Sequence, residues 1–352
     1  MAYSGTVGST VVTVQNFIDQ GARMSGKLAE ELTIEQVQAS KQALFFILSN
    51  LINQGINYWA IEKKVYGLNA DQYEYLLPVG GVDVLNALYR RLNRPTGGYF
   101  GSSGNVGLAF DNDVTTSDAQ TSPNGYIGVN YGTNGAIYAG SIGILPATSG
   151  SFHIYLEWSN DGTTWTLLED TGVTTWVSGQ WLWYDIDPGT NAQFYRMRET
   201  GGGTLNVAEF YVGNNSTEIT MSRLNRDDYT NLPNKNFTAN QPFQYWFNRT
   251  IPQSTITLWP TPSDPFVQMT IWYSRQVMDV GQLQGQLEIP QYFNQAIQLM
   301  LAHQMSMILP GIDLARTQYL EVQADKYFTM AENENRDRSP IYYSPNISVY
   351  TR

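Results

Sequence analysis

The chain contains no cysteine and only two histidines among its 352 residues. The absence of cysteine excludes disulfide bonds, thiolate nucleophiles and cysteine-ligated zinc or iron–sulfur clusters. His153 and His303 lie far apart and match neither a metal-binding nor a catalytic-triad spacing. The longest purely apolar run, Ala43 to Leu48, is much too short to cross a bilayer. The first ten residues lack the basic and apolar regions of a secretion signal, so we expect a soluble chain that stays in a cytoplasm until lysis.

Basic side chains are nearly missing from the middle of the chain. Residues 96–213 hold 11 Asp and Glu against 2 Arg, whereas residues 1–95 carry 8 acids and 8 bases and residues 214–352 carry 12 acids and 10 bases. The middle segment also holds 20 of the 31 glycines. A Gly-rich acidic segment between two nearly neutral ones predicts one domain inserted into another. The net charge of −11 argues against a surface that binds nucleic acid by neutralising phosphates.

The two flanks have helical patterns at their outer ends and strand patterns between them. Apolar residues recur at helical spacing from Val11, and Thr33 and Gln36 stand at capping-box spacing before a second helix. Two further helices are expected after Pro290 and around residues 315–330. Strands are predicted at 59–66, 73–77, 243–248, 255–259 and 266–274, while 82–92 suits a strand or a helix. The flanks therefore predict an α+β domain, helical with a small antiparallel sheet, formed by residues 1–95 and 214–335.

Four stretches of the flanks carry a family resemblance through their pattern and order. They are NRDDYTNLPNK, QPFQYWFNR, ITLWPTPSDPFVQMTIWYSR and LEIPQYFNQAIQLMLAHQMS. Together with the preceding helices and hairpin, they resemble the head-to-tail adaptor proteins of short-tailed bacteriophages, also called tail accessory, head-completion or gatekeeper proteins. The resemblance covers residues 8–94 and 215–335 and includes no catalytic signature.

This resemblance implies a structural virion protein without enzymatic activity or cofactor. It implies a ring, commonly of twelve copies, that lies under the portal, links the capsid to the tail and forms part of the DNA ejection channel. The implied partners are the portal protein, further copies of the chain, tail nozzle or fibre proteins, and double-stranded DNA that passes without specific binding; no membrane is implied. The implied location is the neck of the virion, and the host cytoplasm during assembly.

Residues 336–352 show no regular period and contain two prolines, so we interpret them as an extended tail that orders only against a partner. The adaptor resemblance makes the portal that partner. The expected docking residues are Tyr342, Tyr343, Tyr350 and Arg352. A basic group of Arg90, Arg91 and Arg94 either contacts DNA or the acidic rim of a portal, or pairs with acids of neighbouring subunits.

The insert, residues 96–213, alternates β-type runs with Gly, Asn, Asp and Ser turns, which is the pattern of an antiparallel β-sandwich. Its stretches LAFDNDVTT, YLEWSNDGTTWTLLED and QFYRMRETGGGTLNVAEFYVG resemble discoidin-like (F5/8 type C) or carbohydrate-binding jelly-roll modules. We expect the insert to leave the host at a hairpin tip near Pro95 and Asn215 and to project outward. Replacing it by a short linker is then expected to leave a folded host.

The first of these stretches resembles the loop that holds a structural calcium ion in some such modules. That resemblance implies oxygen ligands from Asp111, Asp113 and Thr116. Asn112 stands where the family often has glycine, and no tryptophan follows the threonine pair. The alternative, turn acids that face water, therefore stays open.

The insert contains carboxylates and tryptophans that call for a functional interpretation. A glycosidase needs two facing carboxylates, and no spacing joins any pair among Glu157, Asp161, Glu169 and Asp185. Trp176, Trp181 and Trp183 are candidates for glycan or protein contact, although alternating tryptophans on one strand face are usually core. The alternative to the adaptor is thus a carbohydrate-binding module on a scaffold protein, which attaches to a host surface.

Overall fold

The computed structural model describes residues 11–53, 58–93, 97–132, 135–264 and 266–335. The chain divides into two compact units. The first, here called the helical unit, combines the two ends of the chain, up to Ile61 and from Ser274 onwards. The second, here called the β unit, comprises Glu62–Tyr273. Among the described residues, no helix is long and apolar enough to span a membrane.

The described residues form mixed α and β structure in which most strand pairs are antiparallel. The five α-helices are α1 (Val14–Ser25), α2 (Ile34–Asn53), α3 (Arg226–Thr230), α4 (Asn294–Ile308) and α5 (Leu314–Glu334). The first nine strands are β1 (Ile61–Leu68), β2 (Glu74–Leu76), β3 (Gly81–Asn93), β4 (Gly98–Gly101), β5 (Asp118–Ala119), β6 (Tyr126–Asn130), β7 (Ile137–Pro146), β8 (Gly150–Ser159) and β9 (Thr166–Trp176). The others are β10 (Leu182–Ala192), β11 (Phe194–Glu199), β12 (Asn206–Thr220), β13 (Ser222–Leu224), β14 (Thr238–Ala239), β15 (Gln244–Asn248), β16 (Thr255–Trp259), β17 (Thr261–Pro262) and β18 (Val267–Arg275).

The helical unit confirms the predicted helix signals at both ends of the chain. In the capping box of α2, the Gln36 N–H donates to Thr33 Oγ1 at 3.3 Å and the Thr33 N–H donates to Gln36 Oε1 at 2.9 Å. Helix α1 ends at Gly26, whose φ of 99° is a left-handed conformation that favours glycine.

One hydrophobic core holds helices from both chain ends together. Its fully buried members include Phe17, Ile18, Leu44, Leu48, Ile297, Leu301 and Met305. Each such side chain contributes about 1.5–3 kcal/mol on burial. The first and last helices therefore belong to one packed unit, as the sequence predicts.

The β unit is built on two larger sheets and two smaller ones. The largest has seven strands in the order β1-β18-β3-β12-β7-β10, with β5 paired to β12. The second has five strands in the order β4-β6-β11-β8-β9. A four-stranded sheet, β13-β15-β16-β2, and a two-stranded sheet, β14-β17, complete the unit.

Two separate hydrophobic cores lie within the β unit. One is formed by residues of the insert from both larger sheets, including Ile127, Ile144, Leu156, Met197 and Phe210. Because two antiparallel sheets face each other across this core, the predicted β-sandwich is confirmed. The other core comes from host strands and includes Leu68, Val84, Tyr245, Ile256 and Ile271.

The boundary between host and insert differs from the predicted one. Strand β12 crosses the predicted boundary between residues 213 and 214: it runs from Asn206 to Thr220, and it pairs first with β7 of the insert and then with β3 of the host. The only irregularity of β12 near the predicted boundary between insert and host is a register shift between Asn215 and Glu218 in its pairing with β3. The turn-like residues after Val212 stay in the strand because β3 supplies hydrogen-bonding partners on that side.

The host strands thus belong with the insert and not with the helices. The predicted adaptor domain of residues 1–95 and 214–335 is divided between the two units: the four long helices lie in the helical unit, and the strands and the short α3 lie in the β unit. The insert begins where the antiparallel host pair β3–β12 ends, at Asn93 and Asn214, which agrees with the expected position at a hairpin tip. The insert keeps its own core, but its sheet is continuous with the host strands, which the sequence did not predict.

A stacked tryptophan pair covers the junction between host and insert strands. Trp181 and Trp183 lie 4.7 Å apart at an interplanar angle of 20°. The Trp183 ring packs directly over Gly67 of β1 and Gly143 of β7, where any Cβ would overlap it. Gly67 lies within strand β1, and only glycine fits there because a larger residue would displace the tryptophan.

Candidate functional site

The outward surface of the five-stranded sheet carries a cluster of aromatic and charged side chains. Alternation along β11 directs Tyr195 and Met197 into the core, so Phe194, Arg196 and Arg198 point outward. The register places Arg196 beside Gly128 and Glu157, and Arg198 beside Tyr126 and Tyr155. We call this surface the outer face; its members are Phe100, Tyr126, Tyr155, Glu157, Trp165, Phe194, Arg196 and Arg198.

Arg196 lies at the centre of the outer face. Its guanidinium carbon is 3.9 Å from the centre of the Trp165 ring and 5.2 Å from that of Tyr126, which are cation–π distances. Its Nε donates to Glu157 Oε2 at 2.6 Å. Within the part of the chain that the structure describes, no atom accepts a hydrogen bond from either Nη nitrogen of Arg196. The side chain as a whole is only 14% exposed, but neither Nη atom is among the buried, partnerless side-chain nitrogens of the described residues, so both donors reach solvent.

Glu157 is held by two arginines. Arg198 donates from Nη2 to Glu157 Oε1 at 2.7 Å and from Nε to Oε2 at 3.1 Å, beside the bond from Arg196. Burial alone would raise the pKa of Glu157, but hydrogen bonds from Arg198 and Arg196 bring it below its usual range. The hydrogen bond to Glu157 likewise raises the pKa of Arg198. The three groups together carry one net positive charge at neutral pH.

Aromatic rings surround this ion cluster. Phe100 lies 6.0 Å from Trp165 and 6.2 Å from Phe194, centre to centre. The Phe100 ring also covers Gly128, where a Cβ would overlap it. These rings are half-buried, so they offer apolar surface beside the arginine donors.

At the edge of the same face, His153 meets Asp170. Their Nε2 and Oδ1 atoms are 2.6 Å apart. The Asp170 carboxylate also accepts the N–H of Gly172 at 2.9 Å, and these contacts hold its pKa below the usual range. His153 therefore pairs with a carboxylate that stays ionised near neutral pH.

The predicted tryptophan contacts are not presented for binding. Trp176 is 1% exposed and packs against Phe152 at 4.5 Å inside the sandwich core, so its prediction as a glycan contact is wrong. Trp181 and Trp183 are half-buried against host strands, with Trp181 5.7 Å from Phe266. They pack the insert against the host strands, which agrees with the alternative interpretation that alternating tryptophans on one strand face are core residues.

Of the three arginines predicted to contact DNA or a portal, the structure describes two, which lie in different surroundings. Arg90 is 2% exposed and forms ion pairs with Asp185 and Glu218, so it is not available to DNA or to a portal and that prediction is wrong. Arg91 is exposed and stays a candidate for such contact. Arg94 lies outside the described residues, as do the tail residues Tyr342, Tyr343, Tyr350 and Arg352.

The candidate calcium loop brings several oxygen atoms together. Thr116 Oγ1 lies 2.8 Å from Asp111 Oδ2, 3.0 Å from the main-chain oxygen of Asp113 and 3.4 Å from that of Leu108. The Asp113 carboxylate instead accepts both the N–H and the hydroxyl of Thr115, at 2.9 and 2.6 Å, and these bonds lower its pKa. Asp113 would therefore take part through its main chain and not through its side chain.

This all-oxygen set fits a hard cation such as calcium. Asp111 would hold the ion through its carboxylate and Thr116 through its hydroxyl, together with main-chain oxygens of the loop. In the described ranges no group of three or more His, Cys, Asp or Glu side chains could hold a metal, so hydroxyl and carbonyl oxygens would have to complete the site. Calcium binding stays a prediction.

The carboxylates considered for glycoside hydrolysis have other partners. Asp161 accepts the N–H groups of Thr163 and Thr164 at 2.8 and 2.7 Å, which lower its pKa and close the turn after β8. Glu157 and Asp185 are paired with basic side chains. These three groups therefore shape turns and ion clusters.

Sequence reasoning passed over Arg196, Arg198 and Trp165. A signal for them was available, because the two arginines are the only Lys or Arg residues between positions 96 and 213. Their spacing of two residues in a predicted strand places both on one face. What the sequence could not show is that Glu157 and Trp165, from other strands and turns, meet them there.

No protein-family model matches this chain, and no curated protein matches it. Solved structures match part of it. The CBM62 module of Clostridium thermocellum Xyl5A is 22% identical, with 36% of this chain and 99% of that chain covered and a TM-score of 0.32. The family 32 carbohydrate-binding module of C. perfringens NanJ, in complex with galactose, is 20% identical, with the same coverage and a TM-score of 0.30.

A third match is chitosan-binding module 1 from a chitosanase/glucanase of Paenibacillus sp. IK-5. It is 21% identical, with 34% of this chain and 95% of that chain covered and a TM-score of 0.29. At this level of similarity the matches say nothing of what this chain binds. None of them bears on the resemblance of the flanks to head-to-tail adaptors, which stays a prediction.

Proposed function

We propose that this chain is a non-catalytic structural protein of a bacteriophage virion, a head-to-tail adaptor whose helical unit associates with further copies of itself. The observation that supports self-association is a second apolar stripe on α5. Leu320, Ala324 and Ala331 are buried against the bundle. Tyr319, Val322 and Met330 lie on a different face of the same helix and are 63%, 63% and 58% exposed.

A helix at the surface of a monomer normally has one apolar stripe, which faces the core. A second stripe that faces water favours a protein partner, because burying it releases ordered water at no further folding cost. A groove of about 730 Å³ adjoins the stripe and is lined by Met24, Leu299, Leu320 and Tyr327 as well as by Tyr319. Helix α2 also exposes apolar side chains, Ile34 at 81% and Phe46 at 55%.

In this proposal the adaptor forms a ring under the portal and continues the DNA conduit into the tail. The tail of residues 336–352 docks on the portal, and the insert attaches fibres or other tail proteins or holds glycans. The acidic composition suits a channel through which DNA passes without being retained.

Light scattering and negative-stain microscopy of the purified chain, alone and with the portal protein of the same phage, test this proposal. We expect rings from the wild type and monomers from the double variant Val322→Glu, Met330→Glu with unchanged helical circular dichroism. Val173→Glu adds the same kind of charge at a position that is 77% exposed on β9 and should leave rings intact. A wild type that stays monomeric even with portal protein would overturn the proposal.

Deletion of residues 336–352 tests the docking tail separately. We expect the truncated chain to keep its fold and its rings but to lose portal attachment in co-sedimentation. Wild-type attachment by the truncated chain would contradict the docking role.

A second candidate function is glycan binding by the insert, which would make the chain a carbohydrate-binding module on a scaffold. The aromatic and charged outer face favours it, since sugar-binding surfaces combine apolar rings with a few oriented polar groups. Selective retention on a glycan array that is lost in Trp165→Ala would support this function, and no retention of any glycan would contradict it.

A further inference from the structure

All the basic side chains of the insert are gathered on one of its surfaces. Arg196 and Arg198 are its only Lys or Arg residues and His153 is its only histidine, in a segment with 11 acids. The two arginines lie side by side on β11, and His153 lies on the neighbouring β8 at the edge of the outer face. Both arginines pair with Glu157 and occupy alternate positions of β11, so they present their guanidinium groups on the same face.

The arginines provide more positive charge than the neighbouring acid neutralises. Glu157 is the common partner of both guanidinium groups, which leaves one positive charge in the trio. Asp170 forms its hydrogen bonds with His153 and with the N–H of Gly172, and not with either arginine. A single negative charge on a ligand would complete the balance at short range.

Arg196 has the geometry of a carboxylate receptor. The Trp165 ring supports its guanidinium plane at 3.9 Å, and the bond from Nε to Glu157 fixes the rotation of the group. The two Nη nitrogens remain as donors, since within the described ranges nothing accepts from them. A planar guanidinium with free donors matches the two oxygens of a carboxylate, a fit that lysine cannot provide.

The surroundings of Arg196 favour a ring-shaped ligand over a free carboxylate. Tyr126, Phe194 and Phe100 offer half-exposed aromatic edges and faces around the arginine. The C–H face of a sugar ring packs on such surfaces while its hydroxyl groups stay hydrated or reach polar side chains.

We infer that the outer face binds an acidic saccharide, with Arg196 receiving the carboxylate and Trp165 holding Arg196 in place. This inference rests on the second candidate function, glycan binding by the insert, and it specifies the location and the ligand class. It is independent of ring formation by the helical unit.

Calorimetric titration of the full chain with two matched sets of oligosaccharides tests the inference. The acidic set contains galacturonate and glucuronate oligomers and sialyllactose, and the neutral set contains galactose and glucose oligomers and lactose. We expect binding of at least one acidic sugar, no binding of its neutral counterpart, and weaker binding at high salt.

Substitutions at the arginine locate the site. Loss of a charge-assisted hydrogen bond should weaken binding about 10–100-fold in Arg196→Gln. Arg196→Lys keeps the charge and the pairing with Glu157, so its fold should persist while binding still falls about tenfold through loss of the planar fork. Tyr138→Ala is the control, since Tyr138 is 59% exposed on β7 of the opposite sheet, and it should bind like the wild type.

Other outcomes distinguish a failure of this inference from a failure of glycan binding by the insert. Neutral sugars bound as tightly as acidic ones, with no effect of Arg196→Lys, would overturn the inference and leave glycan binding standing. No binding of any sugar would overturn both. Equal binding of poly-glutamate and of the acidic sugars would overturn the saccharide assignment in favour of an acidic peptide.

Discussion

The Nη1 atom of Arg90 lies 3.0 Å from Oδ1 of Asp185, and this ion pair joins a host strand, β3, to an insert strand, β10. Lys63 of β1 binds the other oxygen of Asp185 at 2.5 Å, and Glu218 of β12 accepts from Arg90 at 2.6 and 2.9 Å. The nearby Gln268 donates to Ser141 of the insert at 2.8 Å. These contacts form one polar network, here called the junction network, which fixes the insert to the host strands.

Removal of Arg90 should destabilise the β unit strongly. The side chain is 3% exposed, and breaking a buried ion pair by removing one partner typically costs about 3–5 kcal/mol. We expect Arg90→Ala to fall at the lower end of that range, because Lys63 still pairs with Asp185 and because Glu218 is partly exposed. Urea unfolding followed by tryptophan fluorescence measures the loss.

Arg91→Ala provides the matched control. Its side chain is exposed one position further along the same strand, so its removal should change the free energy of unfolding by less than about 0.5 kcal/mol. Equal effects of the two substitutions would show that the junction network does not stabilise the unit.

Replacement of residues 96–213 by a short linker now has a different expected result from the one that the sequence predicts. The deletion removes Asp185 and Ser141 from the junction network and uncovers Gly67 beneath Trp183. Arg90 would then be left without one partner in an apolar setting. We expect the host strands to lose cooperative folding.

The helices should survive this replacement, because residues up to 61 and from 274 form a separate compact unit with its own core. Circular dichroism should show retained helix, and limited proteolysis should cleave within residues 62–95 and 214–273. A linker variant that resists cleavage there would show that the host strands fold alone.

Local patterns predicted the helices and strands, while long-range pairing decided the domain boundaries. The capping residues Thr33 and Gln36 act within one turn, so the sequence identifies them. Strand β12 continues through Asn214 and Asn215 only because β3, more than a hundred residues earlier, supplies its partners. Nothing within a short window around these asparagines distinguishes a turn from a paired strand.

The candidate site was hidden for the same reason. Glu157 looked like a surface acid because its ion-pair partners, Arg196 and Arg198, follow about forty residues later. Trp176 looked like a binding residue because sequence alone cannot say that its ring enters the sandwich core. Burial and pairing between distant strands are properties of the tertiary fold.

Acid should weaken the β unit through Glu157 and Asp185. Burial alone would raise the pKa of Asp185, but hydrogen bonds from Lys63 and Arg90 lower it. The pKa of Glu157 is lowered in the same way by Arg198 and Arg196. In the unfolded chain the pKa values of Asp and Glu are about 3.9 and 4.3. A carboxylate whose pKa is lower than this in the folded state stabilises the fold at pH values above its unfolded pKa. It loses this stabilising effect as the pH falls through its folded pKa. We therefore expect the free energy of unfolding to decline on going from about pH 5 to pH 3.

The double variant Glu157→Gln, Asp185→Asn identifies the source of this decline. It should be less stable than the wild type at pH 7, yet its free energy of unfolding should depend less on pH below 5. The same slope in both proteins would place the acid sensitivity in other groups.

Calcium should stabilise the β unit if the loop at Asp111 and Thr116 binds it. Oxygens from Asp111, Asp113 and Leu108 already lie within 3.4 Å of the Thr116 hydroxyl. A site with a dissociation constant on the order of 10⁻⁴ to 10⁻³ M, filled at about 5 mM calcium, would contribute about 1–2 kcal/mol. The midpoint of thermal unfolding should then be about 2–8 °C higher with calcium than with chelator.

Two threonine variants locate the site. Thr116→Val should abolish this rise, whereas Thr115→Val should retain it, because the hydroxyl of Thr115 donates to Asp113 Oδ1 and is not directed at the other loop oxygens. Identical melting curves of the wild type with calcium and with chelator would assign Asp111 and Asp113 to a metal-free turn closed by their own hydrogen bonds.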